Sequence, residues 1–167
     1  MRDRAAAPGA VGFLEALPSD PVAHRLLSDY FTSRELGFTG ANGYRIVHPG
    51  DEQFTPPRGV FLVVEVDAVP VGCGGIRKLD PGEAGEIRFE VKHLWIEPSA
   101  RGTGLGGALL AELEARAIGF GATHAVLDTN ASLEAAAGLY HSHGYRSIEP
   151  YNDNPNATNW YGKPLRA

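Results

Sequence analysis

Apolar residues along the chain keep two different rhythms, and the switches between them mark its elements. Ala23, Leu27, Tyr30 and Phe31 recur at helical spacing behind Asp20 and Pro21, a capping side chain followed by a proline at the first helical position. Gly37 is placed to stop that helix. Val60 to Val66 and Val69 to Ile76 are short runs rich in Val and Phe, joined at Asp67-Ala68, and they predict a β-hairpin. After a turn at Asp80 to Ala84, the stretch from Glu86 to Ile96 reads as a long strand that Pro98 ends. Helical spacing returns with Leu105, Leu109, Leu113 and Ala117, in a helix running from Gly104 to about Gly119–Gly121. Thr123 to Thr129 is the next strand, and a helix from Ser132 to His141 follows. Gly144 to Ile148 and Trp160 to Pro164 close the series as strands. Two irregular stretches separate these elements: Gly40 to Gly59, and the turn-rich PYNDNPNATN.

A strand, a helix and a strand in succession imply a parallel pair with a crossover helix. Behind a hairpin half, this makes an α/β chain with one mixed sheet, antiparallel first and parallel at its centre, with helices on both faces. Residues 1–10 are expected to be flexible and 11–167 to form one domain.

Composition narrows the partners. Hydrophobic residues make up 43% and charged residues 21%, which suits a globular protein. The formal net charge of −5 disfavours nucleic acid, whose binding needs phosphate neutralisation, and mildly favours a cationic substrate. The only cysteine, Cys73, forbids an internal disulfide and reads as a small core residue. No apolar run approaches a membrane span and no leader pattern opens the chain, so a cytoplasmic location is expected.

The chemistry concentrates after the long strand. Arg101, Gly102, Thr103, Gly104, Leu105, Gly106 and Gly107 form a glycine-rich turn that opens a helix. Such a turn leaves backbone N–H groups without partners, adds the positive end of the helix dipole and lets a bulky anion approach. A phosphate or pyrophosphate pocket is the physical reading. Gly102 to Gly107 also fits the dinucleotide pattern G-x-G-x-x-G, with Asp128 at a suitable distance beyond. Glu97 to Arg101, however, separate this turn from the strand end, where a dinucleotide turn would begin. A glycine-rich helix entry without a ligand is the third reading.

Arg101, Gly104 and Gly106 spell R-x-x-G-x-G, which resembles the acyl-coenzyme A signature of the GNAT superfamily of N-acetyltransferases. Leu139-Tyr140-His141-Ser142-His143-Gly144-Tyr145 resembles that family's second motif, and Glu90 to Ile96 its fourth strand. The matches span about a third of the chain, in the family's order. The resemblance implies the GNAT-like acyl-CoA N-acyltransferase fold, in which two parallel central strands splay and admit the pantetheine arm of acetyl-CoA. It implies main-chain contacts from Leu94, Trp95 and Ile96, and phosphate contacts from Arg101 to Gly107. It also implies transfer to a primary amine of a small molecule or peptide in a ternary complex, without a metal, and a homodimer. Where many members carry an asparagine, this chain has Leu133. The nearest asparagine, Asn130, is the candidate for the cofactor contact that the resemblance implies.

Acetyl transfer from a thioester needs a neutral amine, donors for the oxyanion and a proton for the leaving thiolate. Ile96 N–H is a candidate oxyanion donor. Tyr140 is the candidate acid, a phenol that stays protonated at neutral pH. Glu90 is the candidate base, acting through a water, with Asp128 and Glu134 as alternatives. Unbroken alternation would put Glu90, Lys92, Leu94 and Ile96 on one face; a bulge would change that parity. Asp51, Glu52 and Asp153 sit in loops that could face a cationic amine. His141 and His143 do not share a helix face and read as a solvated helix end rather than metal ligands. A non-catalytic acyl-CoA sensor and a nicotinamide-dependent oxidoreductase are the competing functions.

Overall fold

The computed structural model describes residues 9–37, 46–130 and 134–166. Among them a seven-stranded sheet runs in the order β1-β2-β3-β4-β5-β7-β6. Its strands are β1 (Val11–Ala16), β2 (Gly59–Val66), β3 (Val69–Lys78), β4 (Arg88–Ile96), β5 (His124–Thr129), β6 (Arg146–Ser147) and β7 (Asn159–Pro164). The helices are α1 (Pro21–Gly37), α2 (Leu105–Gly119) and α3 (Glu134–Ser142). The pairs β1·β2, β2·β3, β3·β4, β5·β7 and β6·β7 are antiparallel, and β4·β5 is the parallel pair around which α2 crosses. The mixed sheet read from the pattern is therefore present. The edge strand β1 is an addition: Gly12 and Glu15 break its apolar rhythm, and much of it is exposed, so no buried face stamped a period on the sequence.

Each face of the sheet carries its own core. Leu105, Leu109, Leu110, Leu113 and Ala117 of α2 pack on the face formed by Val60, Leu62, Ile76, Phe89, Val91 and Leu127, with Tyr140 and Tyr145 beside them. At about 1.5–3 kcal/mol per buried leucine, that face anchors the helix behind the glycine turn. On the other face Ala23, Leu26, Leu27, Tyr30 and Phe31 of α1 meet Phe54, Phe61, Val63 and Cys73. Cys73 is fully buried, which pushes its thiol pKa far up and makes it a packing residue. Ser132 and Leu133 lie outside the described residues.

Two irregularities position the site. The ladder between β4 and β5 holds only at Arg88–His124, Phe89–Ala125 and Glu90–Val126. Beyond Glu90 the two strands part. On its other side β4 carries a bulge: Lys92 faces Gly75 and Trp95 faces Cys73, three steps against two, with His93 at φ 58°. This corrects the shared face expected for Glu90 and Ile96. Past the bulge Ile96 joins Phe89 and Val91 in the α2-side core, and Trp95 packs against the α1-side core.

Candidate active site

The gap between β4 and β5 opens into a cavity of about 270 Å³. Val91 to Leu94 form one wall, Asp128 to Asn130 another, and Tyr30, Phe31 and Arg34 of α1 a third. Tyr140 enters from α3. Val47 to Gly50 and Gln53 close one side, so part of the long irregular stretch after α1 has a place in the site. Asn154, Asn156 and Ala157 of the loop before β7 close another.

Tyr140 is buried, with its ring between Tyr145 and Tyr161 at centroid distances of 5.9 and 6.3 Å. Burial raises its phenol pKa to about 12, so the hydroxyl holds its proton across the physiological range. Its hydroxyl has no hydrogen-bond partner among the described residues. The wall holds two further unengaged polar atoms. Thr129 Oγ1 and His93 Nδ1 are buried and unpartnered among the described residues. His93 is edge-on to Tyr30 and Phe31, and its pKa is lowered to about 3, by burial first and then by Lys92, Arg77 and Arg34. It is a neutral imidazole.

Glu90 does not line the cavity. It is 1% exposed, beneath the floor. Arg77 donates to its Oε1 from Nε at 3.0 Å and from a terminal guanidinium nitrogen at 2.9 Å, while Tyr151 Oη donates to Oε2 at 2.6 Å. Arg77 also reaches Gln53. Lys92 Nζ lies 3.8 Å from Glu90 Oε2 and 3.2 Å from Asp128 Oδ1. Asn152 donates to Asp128 Oδ2 at 2.7 Å, and Trp160 Nε1 to Asn152 Oδ1 at 2.9 Å. Burial works to raise the Asp128 carboxyl, but Lys92 and hydrogen bonds from Asn152 and Asn154 outweigh it and the pKa is lowered. Glu90, expected as a water-linked base, stands here outside the cavity lining and ties β3, β4 and the loop before β7 together. Asp128 is similarly engaged, and the side chain of Glu134 lies outside the described residues.

Sequence reasoning missed Arg77, Tyr151, Asn152 and Trp160. The available signal was the Asn-x-Asn-x-Asn spacing. Asn152 and Asn154 each accept a hydrogen bond from the amide two residues on, the mark of a built loop rather than a slack one.

The glycine turn stands at the head of α2. A short 3₁₀ turn (Pro98–Ala100) separates it from β4, as the dinucleotide reading does not allow. Gly102 and Gly104 have φ of 80° and 83°, a region where a β-carbon is strained. Gly104 caps α2 without a side-chain hydrogen bond, and the amides of Leu105, Gly106 and Gly107 donate to no acceptor among the described residues. These free donors on a helix dipole fit a diphosphate. The parted strands fit an extended arm, whose amides could engage the free edge of β4 and Thr129. Arg101 turns back instead: its Nε donates to Ile96 O at 2.8 Å and its guanidinium lies 4.7 Å over the Trp95 ring. Thr103 Oγ1 donates to Ala100 O at 2.8 Å, fastening the same turn. Asn130 lines the cavity and donates to Asn156 O at 3.2 Å. His143 sits against Gly107, and His141 packs edge-on to Tyr161 at 5.4 Å.

Residues 23–145 match the model of the acetyltransferase (GNAT) family. The chain belongs to that family. This acetyltransferase is 31% identical over 139 residues to the uncharacterised N-acetyltransferase YjgM of Escherichia coli, covering 80% of each. It is 33% identical over 104 residues to an uncharacterised N-acetyltransferase of Schizosaccharomyces pombe, covering 62% of this chain and 61% of that relative's length. A Klebsiella pneumoniae structure described as an acyl-CoA N-acyltransferase superposes with a TM-score of 0.71 at 27% identity, over 93% of this chain and 98% of that one. Fold and family are thus those of acetyl-CoA-dependent acetyltransferases, as the three sequence motifs implied. No helix among the described residues is long and apolar enough to cross a membrane.

Proposed function

We propose that this acetyltransferase moves an acetyl group from acetyl-CoA directly to a primary amine while both are bound. The observation that carries the reading is the one cavity lined by Tyr140, the free edge of β4 and the free end of β5. The donor amides of Leu105 to Gly107 hold the diphosphate, and the main chain of Leu94 to Ile96 holds the arm and polarises the thioester carbonyl. The amine nitrogen attacks that carbonyl carbon, the carbon–sulfur bond breaks, and Tyr140 gives its proton to the departing sulfur. The proton shed by nitrogen returns the phenol to its starting state, so no side chain is acylated. Glu90 acts as a positioning residue under Lys92. The lone buried thiol suits the cytoplasm.

Thiol release with an amine panel tests the activity, and mass spectrometry of the protein tests the mechanism. An unmodified chain during turnover is expected; an acetylated chain that discharges onto the amine would overturn direct transfer. Acetyl-CoA binding without thiol release from any amine would favour a sensor.

A further inference from the structure

The bulge in β4 falls where the strand has lost β5. The ladder to β5 ends at Glu90, and past it His93 and Leu94 together stand opposite the one residue Gly74. His93 takes φ of 58° there. Histidine enters that region more readily than most residues, but an ordinary strand would not ask it to. A bulge beside an active site serves to re-aim a side chain, and this one re-aims an imidazole. The ring meets Tyr30 and Phe31 of α1 at centroid distances of 5.4 and 5.5 Å, and Phe54 at 6.2 Å.

α1 and α2 cover opposite faces of the sheet. The glycine turn belongs to α2, so a thioester carrier held there reaches the parted strands from the α2 side. His93 stands on the α1 side and lines the same cavity as Tyr140. It is half-buried, and neither ring nitrogen is hydrogen-bonded to a described residue. Its aromatic neighbours fix the imidazole without satisfying it, which leaves its polar capacity for a ligand. Burial first, and then Lys92, Arg77 and Arg34, lower its pKa to about 3. The ring therefore keeps a lone pair at neutral pH.

We propose that His93 receives the acceptor: a ring nitrogen accepts a hydrogen bond from the amine N–H and turns the amine's own lone pair toward the thioester carbon. The hydrogen bond holds the amine and transfers no proton. This deepens the transferase reading above and rests on it.

The test measures thiol release from acetyl-CoA with a panel of primary amines that includes 2-phenylethylamine, phenylalanine, spermidine and trialanine. The amine that the unmodified protein turns over fastest is then used with the variants. His93→Gly accepts the backbone conformation and empties the place of the ring. Its kcat/KM for the amine should fall about fivefold or more, the scale of one hydrogen bond, while acetyl-CoA affinity holds. Imidazole, added at about pH 8 where it is neutral, should restore turnover over a blank without amine. Pyrrole, a ring of the same size with an N–H but no lone pair to accept with, should not. His93→Leu is close to histidine in volume and has no nitrogen, and it should show the same loss where His93→Gly does not fold. Undiminished kcat/KM in either folded variant would overturn the proposal. So would recovery by pyrrole equal to that by imidazole, no recovery with imidazole, or acetyl-CoA affinity lost in step with turnover. No thiol release by the unmodified protein from any amine of the panel would instead overturn the transferase reading beneath it.

Discussion

Replacing Tyr140 with phenylalanine removes one oxygen from the cavity wall and leaves the ring where it is. The ring stays packed between Tyr145 and Tyr161, and the hydroxyl gives up no hydrogen bond among the described residues. Stability should therefore hold, since the residue lines the cavity and the packing of its ring is kept. Catalysis should suffer. A positioned general acid contributes about 10²–10⁴-fold, or about 2.7–5.4 kcal/mol of barrier. The phenol pKa of about 12 means the wild-type acid is fully protonated at assay pH, so the whole factor is at stake. The assay is steady-state thiol release beside a thermal melt and an acetyl-CoA titration. The expected signature is kcat down by that factor, Kd for acetyl-CoA within about twofold, and Tm unchanged. Unchanged kcat would remove Tyr140 as the acid. Parallel loss of affinity and turnover would make it a binding residue.

Glu90→Gln should lower kcat by less than about tenfold, because the side chain does not reach the cavity; a loss of 10²–10⁴-fold would restore it as a base. Arg77→Ala should destabilise the fold by about 3–5 kcal/mol or somewhat less, because it strands the buried Glu90 carboxylate while Arg77 itself is partly exposed; a denaturant melt reads this. Gly106→Glu places an anion in the first turn of α2, where the dipole tolerates it, so Tm should hold while acetyl-CoA affinity falls at least about tenfold; a folded variant that binds normally would put the diphosphate elsewhere. His93 is neutral when folded, with a pKa of about 3, whereas the unfolded chain protonates it below about 6.5. Its contribution is complete above pH 6.5 and is lost as pH falls toward 3, by at most about 1.4 kcal/mol per unit. His93→Asn, which tolerates the positive φ, should flatten that slope in denaturant melts taken across the range.

How much of this was legible beforehand differs by residue. The apolar stripe of α2 and the alternation of β2 and β3 wrote themselves into the sequence, because burial on one side imposes a period. The glycine turn was legible for another reason: Gly102 and Gly104 adopt dihedrals that other residues resist. Tyr140, singled out through its motif, lines the cavity. The bulge at His93 was not legible, since an extra residue in a strand leaves no compositional trace. Unbroken alternation would have set Glu90 and Ile96 on one face, and the bulge separates them. The polar lattice of Arg77, Glu90, Tyr151, Lys92, Asp128 and Asn152 joins positions up to 61 residues apart, as in Tyr151 to Glu90. No local pattern encodes a contact that long-range folding creates.

The additional residue at His93 works as a dislocation does in a crystal. Rows that are in phase at one end of β4 are out of phase at the other, so a single strand keeps step with α2 through Phe89, Val91 and then Ile96. Deleting it would restore perfect pleating and thereby turn Trp95 toward the wrong helix and Ile96 out of its core. Repairing the defect would cost the molecule both interiors, so the irregularity is a permanent fixture that later substitutions have to work around.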